Sequence, residues 1–574
     1  MANKLELTWY GKDKEISVEP RLLIEKPELS NTDAAPDTEN MLIHGDNLLA
    51  LKALESKFAG QVKCIYIDPP FNTGQAFENY DDGVEHSIWL NLMRSRLEVL
   101  HNLLADNGTL FVHIDDNELG YLIVLLDEIF GRNNRVSIVS FKQASATGHK
   151  AINPGIVSIT NFILIYTKNK HSWQPNRVYT DRGERDKRYG NYITNIDSPC
   201  EEWQITTLTE AFAISLGITI KEARALIKSN PDKIDSFVIE HCESVIQLVN
   251  PDYKNVGAST REYIDKSRAN PNQIFRQIRE GYSDIILIGG KRIIFYKDKL
   301  KKIDGKYVAG EPLTSLWDDI LSNNIHNEGG VDFPKSKKPE ALIKRCLELS
   351  TQENDIVLDS FLGSGTTAAV AHKMGRRYIG IEMGEHAYTH CKKRLDMVVS
   401  GEDKGGISKA VKWENGGGYR FYELAPTLIN KDEFGEYIIN PDYSADMLAA
   451  AMALHEGFTY EPDSSAFWKQ SHGNEKSYLF VTTRYLNAAF MDSIIGGMED
   501  DEYLVIACCS FDKGMDKLNP HITVKKIPQM LLERCEFDKA DYNLNIIHPP
   551  VYEDRKSTRL NSSHRSQSRM PSSA

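Results

Sequence analysis

The stretch Asp355-Ile356-Val357-Leu358-Asp359-Ser360-Phe361-Leu362-Gly363-Ser364-Gly365-Thr366-Thr367-Ala368-Ala369-Val370-Ala371 decides the fold. Its first five residues read as a buried strand and its last four as an apolar helix. The glycines between them let the backbone turn tightly and approach a ligand closely. N–H groups at the start of the helix after such a turn have no partner within the helix and point at that ligand. A second strand, 377–381, ends in Glu382, about the offset at which nucleotide-binding α/β folds place an acid on ribose hydroxyls. Ala368 stands where a dinucleotide fingerprint has its third glycine, and no Gly-x-x-x-x-Gly-Lys-Ser/Thr occurs in the chain. Both facts point away from NAD and from an ATPase.

Far upstream, the apolar run Val62-Lys63-Cys64-Ile65-Tyr66-Ile67 leads into Asp68-Pro69-Pro70-Phe71. The two prolines fix their own φ and bias the residue before each toward extended geometry, so the chain leaves the strand stiffly. A flat heterocycle with an exocyclic NH₂ would find acceptors in the Asp68 carboxylate and the Pro69 carbonyl. Phe71 offers a face on which it could stack. Strand-Asp-Pro is also an ordinary turn signal; the companion motif at 359–367 favours the functional reading.

Residues 68–71 and 359–367 resemble motifs IV and I of S-adenosylmethionine-dependent DNA amino-methyltransferases, and their order resembles the beta class. Leu7-Thr8-Trp9-Tyr10-Gly11-Lys12, the segment 43–51, residues 68–74 and Phe111-Val112-His113-Ile114-Asp115-Asp116-Asn117-Glu118 are similar to the modification (Mod) subunits of Type III restriction-modification systems. The resemblance implies S-adenosylmethionine as cofactor, with no metal needed for methyl transfer. It makes Asp68, Pro69, Pro70 and Phe71 the catalytic floor, carries Asp359, Phe361, Gly363, Gly365 and Thr366 onto the cofactor loop, and puts Glu382 on the ribose. Asp46 and Lys338 are similar to further cofactor-side positions, with a helix cap and a solvated lysine as their plain alternatives. Asp115 and Asp116, between a strand and a helix, read as capping residues.

The implied substrate is the N6 of an adenine flipped out of double-stranded DNA. N4 of cytosine is the alternative, and a non-catalytic DNA- and cofactor-binding subunit a further one. Cytosine C5 chemistry needs a cysteine nucleophile; Pro199-Cys200-Glu201 is the nearest approach to its usual setting. The resemblance also implies a homodimer and a separate ATP-dependent restriction subunit as partners.

The 574 residues allow three or four domains. Strands alternating with helices predict an α/β, doubly wound, Rossmann-like methyltransferase sheet. Neither 41–170 nor 332–397 is a complete sheet, so the two are expected to co-fold. The expected organisation is an N-terminal arm (1–40), a catalytic half (41–172), a target-recognition insert (173–315), a cofactor-binding half (316–400), a linker (401–430) and a small C-terminal α/β module for dimer or partner contact (431–555).

Net charge is −13, but the charge is unevenly spread. Residues 261–306 hold twelve Lys or Arg against six acids, interleaved with aromatics, as a phosphate-tracking surface requires. Arg276, Arg279 and Arg292 are the candidates for reading bases there, since Arg can grip guanine bidentately. Residues 431–555 hold eleven basic against twenty-two acidic residues, an unlikely DNA face. Eight cysteines without Cys-x-x-Cys spacing, no bilayer-length apolar run and a polar start suggest a reducing cytoplasm without structural zinc. The serine- and arginine-rich tail 556–574 cannot bury a core and looks like translated sequencing adapter, which would leave the native C-terminus missing.

Overall fold

A ten-stranded sheet organises the chain. In the computed structural model, residues 6–13, 18–71, 76–77, 80–81, 86–145, 155–320, 325, 328–333, 336–532, 534–535 and 537 are described; the tail and residues 72–74 of the resemblance lie outside them. In chain order its strands are β1 Leu23–Glu25, β2 Met41–His44, β3 Val62–Ile67, β4 Leu104–Ile114, β5 Arg135–Lys142, β6 Thr160–Thr167, β7 Leu316–Trp317, β8 Ile356–Asp359, β9 Arg377–Glu382 and β10 Arg420–Leu424. They lie in the order β1-β10-β2-β9-β8-β3-β4-β6-β5-β7. The six from β10 to β4 are mutually parallel, and β6 runs antiparallel to both β4 and β5.

Parallel strands covered on both faces need apolar side chains at nearly every position. Ile43, Ile65, Ile67, Val112 and Leu358 pack on one face against the helices α1 Asn47–Phe58, α2 His86–Leu103 and α3 Leu119–Leu126. Their neighbours Leu42, Cys64, Tyr66, Phe111 and Val357 pack on the other, against α4 Glu340–Ser350, α5 Thr366–Lys373 and α6 Lys393–Ser400. The sheet is therefore doubly wound, and the two separated stretches of sequence meet where Val357 and Leu358 pair with Cys64 and Ile65. From β3 the chain crosses by α2 to β4, and from β8 by α5 to β9 on the opposite side. The strand order thus reverses between β3 and β8, where open α/β sheets carry their ligand crevice.

Two expectations are corrected. The N-terminal arm supplies β1, and the stretch expected as a linker supplies β10, which sits between β1 and β2 inside the sheet. The glycine- and charge-rich run 401–418 before β10 masks a five-residue strand that is too short to give a clear alternation.

After Thr167 the chain leaves the central sheet and returns at Leu316. Between them lies an antiparallel six-stranded sheet in the order Ile205–Thr207, Asn191–Ile193, Val245–Val249, Lys291–Phe295, Ile285–Ile288, Ile274–Gln277. Tyr189, Phe212, Phe237 and Tyr296 contribute to a separate core there. Beyond β10, Ser477–Thr482, Tyr503–Cys508 and Ile522–Lys526 pair in parallel within a five-stranded sheet, the small α/β module expected. No helix among the described residues is long and apolar enough to cross a membrane.

Candidate active site

Asp68 leaves the end of β3 and Asp359 ends β8, so the two sequence motifs meet on adjacent parallel strands. The Pro-Pro floor is pinned from behind: the indole N–H of buried Trp89, on α2, donates to the Pro70 carbonyl at 2.7 Å. With Pro70 engaged, the acceptor expected beside Asp68 is the carbonyl of Pro69.

The two Asp68 oxygens are used differently. Oδ2 accepts from the Lys338 ammonium at 2.5 Å, while Oδ1 is buried and has no hydrogen-bond partner among the described residues. Burial pushes the Asp68 carboxyl up, and Lys338 pulls it partly back. An unmet buried acceptor is costly, so its retention at the mouth of a crevice points to a donor that arrives with a ligand.

Behind Oδ1, at 4.0 Å, lies Nδ1 of the fully buried His113. The Asn161 amide donates to His113 Nε2 at 3.1 Å, which puts the ring proton on Nδ1, facing the Tyr66 hydroxyl at 3.0 Å. Burial, with Lys338 nearby, holds His113 well below its ordinary pKa and hence neutral. Phe71 and His113 lie 5.8 Å apart, ring to ring.

Across the crevice, the Asp359 carboxylate accepts the Phe361 N–H at 2.9 Å and the Thr367 hydroxyl at 2.6 Å, folding the glycine loop back over its strand. Glu382 accepts the N–H groups of Gly363 at 2.7 Å and Gly384 at 3.0 Å, and faces His386 Nε2 at 2.7 Å. Burial is the main cause that raises Asp359 to about 7, with Asp68 and Glu382 adding to it. Asp68, Asp359, Phe361, Gly363 and Thr366 are among the residues lining one crevice. Burial raises Asp68 and Asp359 by penalising their ionised forms, a penalty that a cationic ligand such as a sulfonium would relieve.

Gly363 and Gly365 both have positive φ, +57° and +80°. A Cβ on Gly365 would also lie 3.2 Å from the Cα of Cys391. Gly365→Ala is therefore expected to cost about 1–2 kcal/mol from the left-handed backbone alone. Denaturant unfolding checks this, and the cofactor affinity should weaken with it.

A family model described as DNA methylase matches residues 62–393. The chain belongs to that family. A Haemophilus influenzae protein named "Probable type III restriction-modification enzyme HindVI Mod subunit" is 36% identical over 425 residues, 69% of this chain and 55% of its own length. The type III restriction-modification enzyme EcoP15I Mod subunit of Escherichia coli is 25% identical over 79% of this chain and 77% of its own. This chain thus spans little more than half of the Haemophilus relative. Among solved structures, the M1.HpyAVI–SAM complex aligns over 62% of this chain and 99% of its own at 15% identity and a TM-score of 0.30, too low to add to the argument.

Within this methylase fold the remaining candidates fall into place unevenly. Asp46 caps α1, accepting from Leu48 and Leu49 at 2.9 and 3.1 Å. Its neighbour Asn47 reaches the glycine loop instead, donating to the Ser360 carbonyl at 2.8 Å while accepting from the buried Arg96 at 2.5 Å. Asp115 accepts the Asn117 N–H in the turn before α3, but Glu118 stands at the N-cap and no side chain caps the helix, so the capping role expected of Asp115 and Asp116 is corrected to a turn contact. Lys338 is not solvated: it is buried against Asp68 and lines the same crevice as Asp359, Phe361 and Gly363.

Arg276 and Arg292 lie on strands of the insert's sheet and Arg279 in the turn after one of them, and none of the three is among the residues lining the crevice. Arg276 pairs with Asp284 at 2.7 Å, and Arg279 donates to the Ser283 carbonyl beside the Tyr282 ring. Arg292 lies opposite Val249 and Leu287 on neighbouring strands. Cys200, the alternative nucleophile, is buried in a short turn of the insert with its thiol pushed up by that burial, the opposite of activation. Sequence reasoning missed Trp89 and Asn161, and gave His113, quoted within the stretch 111–118, no role of its own. A lone polar residue within the apolar run of β4 was a second signal for it.

Proposed function

We propose that this protein transfers a methyl group from S-adenosylmethionine to the exocyclic N6 of an adenine flipped out of duplex DNA, as the modification subunit of a Type III restriction-modification system. The observation that carries the reading is the unmet, buried Oδ1 of Asp68 on the strand beside the glycine turn. An exocyclic amine is a poor nucleophile because its lone pair is delocalised into the ring. Asp68 and the Pro69 carbonyl, each accepting one N–H, localise that lone pair and aim it across the crevice. The bound cofactor supplies an electrophilic methyl group on sulfur. The chain's own part is proximity and electrostatics. As nitrogen gains the methyl group it sheds one proton, and Asp68, already bonded to an N–H and raised in pKa, is positioned to take it. A base paired within a duplex cannot reach this floor, so flipping onto Phe71 is required.

The test is incubation of the purified protein with labelled S-adenosylmethionine and DNA, followed by nucleoside analysis. N6-methyladenine is the expected product; N4-methylcytosine would move the assignment to the alternative base, and unlabelled DNA would overturn it. Because Asp68 accepts only when ionised, kcat/KM is expected to fall as the pH is lowered, with its acid limb above the ordinary carboxylate value of about 3.9. A pH–rate profile checks this.

The basic stretch of the insert is proposed to follow the DNA backbone, its acids being partly spent on local pairs such as Glu262–Lys266 and Asp265–Arg268. The acidic C-terminal module is proposed for contact with a second copy or a restriction subunit. Its hairpin of Ile429–Lys431 and Tyr437–Ile439 carries Phe434, 89% exposed, on the connecting turn.

A further inference from the structure

We propose that Lys338 holds the place of the target's amino group in the free protein, and that a base enters only as the Lys338 ammonium leaves Asp68. This rests on the amino-methyltransferase reading above. The ammonium donates to Asp68 Oδ2 at 2.5 Å and lies 5.3 Å from the centre of the Phe71 ring. An N–H donor set against that carboxylate and over that aromatic face is what a stacked base with an exocyclic amine would present at the same spot. The two cannot be there together.

The anchor and the moving part are distinct. Pro339 precedes the first turn of α4, and Glu340 is locked in a buried ion cluster with Lys373 and Arg394, so the backbone at 338 is fixed. The four-carbon stem is free to swing the charge. The neighbouring Lys337 is committed elsewhere, to the carbonyls of Glu328 and Val331. A second acceptor stands in reach of Lys338, the Ser336 carbonyl at 3.5 Å. The other ionisable groups facing Asp68 are the neutral His113 on the adjoining β4, Tyr66 on β3 itself, and Asp359 across the crevice.

In the free protein the ammonium supplies the counter-charge that a buried carboxylate needs. A cofactor with a cationic centre, bound in a crevice lined by Asp68 and Asp359, brings a second positive charge to the same acids. Repulsion then favours departure of Lys338, and the ligand's charge takes over its role. Base entry becomes conditional on a loaded, positively charged cofactor.

The experiment uses the full chain and a duplex containing the methylated site, located by methylome sequencing of cells that express the protein. Base entry is read as permanganate reactivity of the thymine opposite the target adenine. Three states are compared: no cofactor, S-adenosylhomocysteine, which is uncharged at sulfur, and sinefungin, which carries an amine there. The wild type is expected to expose the thymine with sinefungin and little in the other two states. Lys338→Met is expected to expose it without any cofactor, by on the order of tenfold over the wild type, since vacating the pocket raises its binding-competent fraction. Lys338→Gln, which keeps a neutral donor for Asp68, should fall between and guards against a folding defect in the first variant. Equal reactivity in all three states, unchanged by either substitution, overturns the proposal. So does a loss of sinefungin affinity by calorimetry with unaltered base entry, which would make Lys338 a cofactor ligand. Absence of any methylated base in the mapping step instead overturns the reading on which the proposal rests.

Discussion

Asp68→Ala is expected to lower kcat for methyl transfer by on the order of 10²–10³-fold, the usual loss when one preorganised electrostatic contact to a transition state is removed. Cofactor affinity should change far less. The groups that shape the cofactor loop, Asp359, Thr367, Glu382 and the Asn47 amide, hold it without help from Asp68. The floor should also keep its shape, because Trp89 pins Pro70 independently of the carboxylate. The substitution therefore separates binding from chemistry. Single-turnover kinetics with saturating cofactor, alongside calorimetric cofactor titration, read the two apart. Transfer at the wild-type rate would mean that Asp68 is not the acceptor, whatever its place in the crevice.

Much of this arrangement was legible in the sequence, for definite reasons. Strands β3 and β8 are apolar runs leading into Asp68 and Asp359, and α1 begins at Asn47 because Asp46, whose plain reading was a helix cap, caps it. The glycines at 363 and 365 occupy positive-φ positions that the motif requires. What could not be read was the layer behind the motifs. Trp89 is one apolar residue among many on an amphipathic helix, and only the crossing of α2 beneath β3 brings its indole to Pro70. His113 and Asn161 belong to antiparallel neighbours whose register sets their hydrogen bond. Lys338 carried a family likeness but no address, since its contact with Asp68 spans 270 residues of chain. β1 and β10 escaped because short strands take their stability from neighbours rather than from local pattern.

Glu340→Ala should be the most destabilising single change in the methylase domain. The side chains of Glu340, Lys373 and Arg394 are all fully buried, and the carboxylate of Glu340 bridges the two cations at 2.8 Å each. It also accepts the N–H of Ile407 at 3.0 Å and fills the space that a side chain on Gly406, at φ +52°, would need. Removing it leaves Arg394 buried without its carboxylate and Lys373 with Asp403 alone. Breaking such a cluster from one side costs about 3–5 kcal/mol, far more than the intact cluster contributes over well-packed apolar residues. Urea unfolding should therefore show a lower midpoint with an unchanged slope. The effect should not stay local. Arg394 also donates to the Thr366 hydroxyl at 2.8 Å, at the first residue of α5, so a displaced guanidinium loosens the end of the cofactor loop. Glu340→Ala should accordingly weaken cofactor binding, even at temperatures where the protein is fully folded. Glu340→Gln, which retains an acceptor for Ile407 but not the charge, should lose an intermediate amount of stability. A variant that unfolds within about 1 kcal/mol of the wild type would mean that Asp403 compensates both cations, and that the stretch 401–411 is held by its own turns rather than by Glu340.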